Sequence, residues 1–206
     1  MNKYIIIVFI FLSSCAAVYN NSSFNLMEGY IFGFKDEVTK NFFEESQYSF
    51  ARLRFGRGPA SILILSSVDQ SNFEWISSDG IKIYTNNGLI YKTIGLPSDV
   101  IYQKIITDNS KSVTSEILSE SYTSFIEPDL HMAVTKNKIY IDTNQCDYKR
   151  FHLKVKCKII FHDILIPEIN FKALNRYYMN DEWNVMASYQ KIHPHIPEIY
   201  IEYFYK

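Results

Sequence analysis

Glycine and proline are scarce: 7 and 6 in 206 residues, too few for a collagen or a low-complexity chain. Neither sign of charge dominates. The 21 basic and 22 acidic side chains leave a formal charge of −1, so no polybasic arm marks a nucleic-acid binder and no nucleic-acid partner is expected. Catalytic signatures are missing too, with no nucleophile elbow, phosphate loop, zincin helix or CxxC. Gly56-Arg57-Gly58-Pro59 is superficially glycine-rich. A proline and a β run follow where a phosphate site needs a helix N-terminus, so it reads as a turn. These absences point to a protein that is not an enzyme and carries no cofactor.

Aromatic residues are abundant: 15 Phe, 16 Tyr and 2 Trp. With the many β-branched residues they supply a core and favour strands. The length suits one domain or at most two small ones.

Residues 1–14 have the layout of a secretory signal peptide: Lys3, an apolar stretch at residues 4–12, then small residues. Nine apolar residues fall well short of the roughly 20 that span a bilayer. The peptide runs into Leu12-Ser13-Ser14-Cys15, which resembles a bacterial lipobox and predicts lipid attachment at Cys15. Ordinary cleavage after Ala16 is the competing reading. Stable anchoring takes at least two acyl signals, and a bacterial lipoprotein carries three chains. No acidic residue follows Cys15 in Ala16-Ala17-Val18, so the expected site is the outer membrane, on its periplasmic side. Residues 15–25, polar and rich in Asn and Ser, read as a lipidated tether. Residues 26–206 then form a single β-rich domain.

Two further cysteines remain, Cys146 and Cys157. An oxidising compartment permits a disulfide between them, which would stabilise the fold by about 3 kcal/mol. Two buried thiols that never meet are the alternative. The alternation from Phe151 to Phe161 places Cys157 on the apolar face of a strand.

Short helices are predicted at residues 26–32 and 37–45, the second capped by Asp36. Ala51, Leu53 and Phe55 alternate with Arg52 and Arg54 as in a half-buried strand. Asp79-Gly80 and Asn87-Gly88 are turn signals between apolar runs, the second a strong hairpin signal because both residues tolerate positive φ. They predict a four-strand meander between Gln47 and Gly95. Beyond it, the pattern suggests a helix at 112–120, a hairpin of 132–135 with 138–142, and strands at 170–178, 183–191 and 198–205. The fold class expected is mainly β: an antiparallel, partly open barrel or strongly curved sheet with a few short helices.

Side chains with chemical potential are few. His193 and His195 alternate near Glu198, but a third metal ligand is hard to name and two prolines flank the site, so no metal is expected. Glu116/Glu120, Glu127/Asp129 and Asp181/Glu182 are acidic pairs of the ordinary surface kind. Arg52, Arg54 and Arg57 share a polar strand face and its turn, a candidate patch for an anionic ligand; a solvated strand face is the plainer reading. Tyr177, Tyr178, Trp183, Tyr189, Tyr200, Tyr203 and Tyr205 crowd the C-terminal third, as sugar-stacking faces or as core.

Residues 48–96 carry a family resemblance. They run YSFARLRFGRGPASILIL, then WISSDG, then IKIYTNNGLIYKTIGL, and resemble the GfcB/YjbF family of outer-membrane lipoproteins associated with group 4 capsule and exopolysaccharide export. A weaker match covers residues 177–201, with Ser188-Tyr189-Gln190 in the place of the family's Ser-x-Gln. Residues 102–171 are not recognisably matched, Tyr178 stands where the family often has Trp, and the Cys146/Cys157 pair is added. The resemblance implies a partly open barrel similar to lipoprotein carriers and no catalytic residues. It also implies a role beside polysaccharide-export proteins, with polysaccharide itself a candidate ligand. The alternative is a periplasmic lipid or lipoprotein carrier with an apolar barrel interior.

Overall fold

The computed structural model describes residues 38–103, 116–142, 146 and 148–206. The chain divides into two units, Glu37–Gly56 with Ala60–Lys206, and Met1–Asp36 with Arg57–Pro59. Of the second, residues 57–59 are described, as the turn that follows β1. The helix expected at 26–32 and Cys15 lie outside the described residues.

In the larger unit a single helical turn and a half, α1 (Lys40–Glu45), precedes the strands. It starts later than residue 37 because Thr39, not Asp36, is the cap: its Oγ1 accepts from the N–H of Phe42 at 3.2 Å. Five strands follow rather than four: β1 (Phe50–Phe55), β2 (Ala60–Asp69), β3 (Asn72–Ser77), β4 (Lys82–Asn86) and β5 (Leu89–Ile94). The turns were legible; the strand count between them was one short. After β6 (Val100–Gln103) come β7 (Ile117–Phe125) and β8 (Leu130–Asp142). A two-residue hairpin, β9 (Lys149–Arg150) and β10 (Leu153–Lys154), leads to β11 (Lys158–Ile166), β12 (Phe171–Met179), β13 (Val185–Gln190) and β14 (Ile199–Phe204).

Two expectations fail here. Residues 117–120 begin a strand, not the end of a helix, since Leu118, Glu120 and Tyr122 are exposed while Ser121 and Thr123 are buried, a period of two. Residues 132–142 belong to one 13-residue strand rather than a hairpin; β8 continues through residues 136 and 137 because β7 pairs with it on one side and β11 on the other.

Twelve strands form one antiparallel sheet in the order β5-β4-β3-β2-β1-β14-β13-β12-β11-β8-β7-β6. The sheet curls into a nearly closed barrel. Its end strands, β5 and β6, are neighbours that share no ladder. Side chains bridge the seam instead. The carboxylate of Asp99 accepts from Thr93 Oγ1 at 2.8 Å, from the N–H of Gly95 at 2.9 Å and from the N–H of Leu96 at 3.1 Å. Thr93 Oγ1 in turn accepts from the N–H of Val100 at 2.9 Å. The clasp lies at the loop end of the seam, where it occupies the N–H of Val100 and those of the connecting loop.

In the principal core Leu53, Leu63, Trp75, Ile83, Ile90, Val185, Ile201 and Tyr203 pack together without appreciable exposure. Trp75 can be buried because its Nε1 donates to Thr85 Oγ1 at 2.9 Å. A smaller cluster of Tyr148, Met186 and Ala187 lies apart, with Cys146, Cys157, Tyr178 and Tyr200 packed against it.

Candidate functional site

The barrel interior carries an unusual density of polar side chains. Gln190 is completely buried and reaches from β13 to the β4–β5 hairpin. Its Oε1 accepts from the N–H of Ile90 at 3.0 Å, and its Nε2 donates to the carbonyl of Gly88 at 2.7 Å and to Ser188 Oγ at 2.8 Å. The hydroxyls of Tyr177 and Tyr203 join it, donating to Gln190 Oε1 at 3.3 Å and to the Gly88 carbonyl at 3.1 Å. Burial pushes both tyrosines well above the usual phenol range, so they remain neutral donors.

Beyond this network the wall made by β7, β8, β11 and β12 sets polar side chains among core residues such as Phe125, Ala133, Ile164 and Ile166. Asn137 Nδ2 donates to Ser121 Oγ at 2.9 Å, and Asn137 Oδ1 lies 2.9 Å from His162 Nε2. Burial holds His162 down to about 4, so at neutral pH it is an uncharged imidazole. His193 is equally buried at the end of the barrel, edge-on to Phe125 with ring centroids 4.5 Å apart. Its Nδ1 accepts from the N–H of His195 at 3.1 Å. Burial, with His195 and Lys191 adding repulsion, holds it down to about 4.

Outside the barrel, Cys146 and Cys157 form a disulfide with Cα atoms 5.5 Å apart. Cys157 sits immediately before β11 rather than within a strand, and packs in the smaller cluster. The chain between the two cysteines reaches onto β14. Tyr148 Oη donates to Glu202 Oε1 at 2.5 Å, and Arg150 donates to the carbonyl of Tyr203 while its guanidinium lies 4.5 Å from the Phe204 ring centroid. Glu202 is buried and also pairs with Arg52 at 3.3 Å.

The three arginines of the candidate anionic-ligand patch therefore have different surroundings. Arg52 is engaged by Glu202, Arg54 lies 5.6 Å from the Tyr200 ring centroid, and Arg57 is exposed in the turn of the other unit. The C-terminal aromatics separate in the same way. Tyr177 and Tyr203 are interior; Tyr189 and Tyr200 pack on the opposite sheet face with ring centroids 4.7 Å apart and planes tilted by 42°, with Arg176 over Tyr189 at 4.7 Å.

Members of the three acidic pairs are engaged by separate basic neighbours. Glu116 pairs with Lys138 at 3.0 Å and Asp181 with Lys156 at 3.1 Å, while Asp129 contacts His131 at 2.9 Å. Glu198 faces Arg176 at 3.8 Å rather than the two histidines. Among the described residues, no three His, Cys, Asp or Glu side chains converge as metal ligands would. Sequence reasoning missed the polar wall. Its signal was the alternation Ser119-x-Ser121-x-Thr123, obscured by reading that segment as helix.

A single curled sheet with an unsealed seam defines a partly open antiparallel barrel. The chain belongs to a family described as group 4 capsule polysaccharide lipoprotein GfcB, YjbF, whose model matches residues 31–204. Among solved structures it is similar to the hypothetical lipoprotein YmcC from Escherichia coli. That likeness covers 91% of this chain and 97% of that one, with a TM-score of 0.66 and 15% identity, and it shows the fold. No match is found among curated proteins.

Proposed function

We propose that the protein is a non-enzymatic lipoprotein of the outer membrane. Acyl chains on Cys15 hold it on the periplasmic side, where it assists assembly or export of capsule or exopolysaccharide beside the export proteins of the envelope. The observation that carries this reading is the match to a capsule polysaccharide lipoprotein family over residues 31–204. The lipobox Leu12-Ser13-Ser14-Cys15 ahead of the matched region supports the anchor, and three acyl chains exceed what lasting attachment requires. The lipid-carrier reading gains nothing from the interior, since Trp75, Ile83, Ile90 and Tyr203 fill the apolar core without measurable exposure.

The test is genetic and chemical. Deleting the gene in polysaccharide-producing cells should lower surface polysaccharide, and the wild-type gene should restore it where Cys15→Ser does not. Radiolabelled palmitate should enter the wild-type protein alone. Unchanged surface polysaccharide in the deletion strain would overturn the role, and an unlabelled wild-type protein would overturn the anchor.

A further inference from the structure

The principal core, with Trp75, Ile83, Ile90 and Tyr203, extends onto β6, β7 and β8 through Val100, Phe125, Leu130 and Ala133. Beside these the same three strands carry a run of uncharged polar side chains: Ser119, Ser121 and Thr123 from β7, Thr135 and Asn137 from β8 and Gln103 from β6, on paired strands. Several of these groups are not used by the fold. Among the described residues, the hydroxyl oxygens of Ser119, Thr123 and Thr135 are buried without a hydrogen-bond partner, as is His193 Nε2; Thr123 is 1% exposed, and Thr135 and His193 are fully buried. An unpaired buried hydroxyl opposes folding, and an apolar group of the same shape in its place is neutral or stabilising. Valine at positions 123 and 135 would suit a purely structural wall better.

The wall also adjoins the weakest line of the barrel. β6 pairs with β7 on one side, and on the other meets β5 without a ladder. The clasp there is Asp99, which bonds Thr93, Gly95 and Leu96. Parting that seam would break these side-chain bonds and the core packing of Ile90 and Val100, and no strand pairing.

We propose that the β6–β7–β8 wall is a binding surface for an uncharged, hydroxyl-rich saccharide chain, reached when the β5–β6 seam parts. The proposal rests on the polysaccharide reading above and names the part of the protein that touches the polymer. Hydroxyl and amide side chains both donate and accept, as sugar hydroxyls do. The wall's polar residues, Ser119, Ser121, Thr123, Thr135, Asn137 and Gln103, carry no charge, so a neutral stretch of polymer is favoured over an acidic one.

The experiment uses surface polysaccharide extracted from cells that make the protein, and the purified chain without its lipid. Wild type should be retarded in a native gel containing that polysaccharide. Thr123→Val/Thr135→Val should bind at least tenfold more weakly while its thermal midpoint holds or rises; Thr135→Ser, which keeps the hydroxyl, should bind as wild type. Polysaccharide should slow hydrogen exchange at β6, β7 and β8 amides, and Asp99→Ala should speed it there. The site falls if wild type is not retarded, if the double valine variant binds normally, or if protection appears elsewhere. Seam entry falls if Asp99→Ala leaves exchange at β6 and β7 unchanged. Loss of polysaccharide on gene deletion without any binding would remove this site and leave the wider role intact; binding without a deletion phenotype would do the reverse.

Discussion

The side-chain amide of Gln190 donates to the backbone carbonyl of Gly88 across the barrel at 2.7 Å, joining residues 102 positions apart. One side chain thereby ties the tip of the β4–β5 hairpin to β13 and supplies the acceptor for the Ile90 N–H that a neighbouring strand would otherwise provide. The Ser-x-Gln segment, legible only as a family resemblance, has a structural role: Ser188 and Gln190 face inward and bond to each other.

Replacing Gln190 with leucine removes these bonds and leaves the Ile90 N–H and the Tyr177 hydroxyl short of a partner in the buried interior. Each buried group left unpaired costs about 1–3 kcal/mol, so a loss of about 3 kcal/mol is expected, read as a lowered urea midpoint. A change below about 1 kcal/mol would show that the network is not coupled to stability.

Gly88 and Gly80 make a matched pair. Both have positive φ, +79° and +84°, but a Cβ at Gly88 would lie 2.6 Å from Val185 Cβ, whereas among the described residues nothing lies within 4 Å of one at Gly80. Gly80→Ala should cost only the left-handed penalty, about 1–2 kcal/mol. Gly88→Ala should cost clearly more, and Gly88→Ala/Val185→Gly, which removes the clashing Cβ itself, should recover the steric part relative to Val185→Gly alone. Equal melting shifts at the two glycines would refute the clash.

The disulfide closes a short loop, with the cysteines 11 positions apart. Cys146→Ser/Cys157→Ser should lower stability by about 3 kcal/mol. It should also loosen the contact of Tyr148 with Glu202, seen as faster hydrogen exchange along residues 148–155. Labelling of unreduced, denatured wild type should find neither of these two cysteines free.

His162 and His193 give stability a pH dependence. Their folded values, about 4, lie below the 6.5 of a free imidazole. Between those limits the unfolded chain binds more protons than the folded one, so their contribution is complete above about pH 6.5 and is lost as pH falls towards 4. Urea midpoints should drop across that window. His162→Asn and His193→Gln should each flatten the drop, and a profile unaltered by both would mean the rings are hydrated.

Much of the architecture was legible because it rests on local rules. Alternating burial marked β1, and the turn chemistry of Asn87-Gly88 and Asp79-Gly80 marked the hairpins, since positive φ is a property of the residue itself. Residues 117–125 were harder. Serine, glutamate and leucine suit a short helix as well as a strand, and the decision came from pairing with β8, which lies beyond any local window. The single long strand β8 was hidden likewise: Lys136 and Asn137 read as a turn, yet Asn137 points inward and bonds Ser121 and His162.

Composition and periodicity alone determined a mainly antiparallel β protein, and the lipobox supplied the expectation of a lipid anchor, because signals of those kinds act within a few residues of chain. The tertiary structure alone decided which side chains face one another inside the barrel. It placed Gln190 against Gly88, divided the arginines among unlike surroundings and gathered the hydroxyls of β7 and β8 on one wall. The physical reason is that a side chain's partner across a closed sheet depends on strand order and register, which are settled by the packing of the whole chain at once.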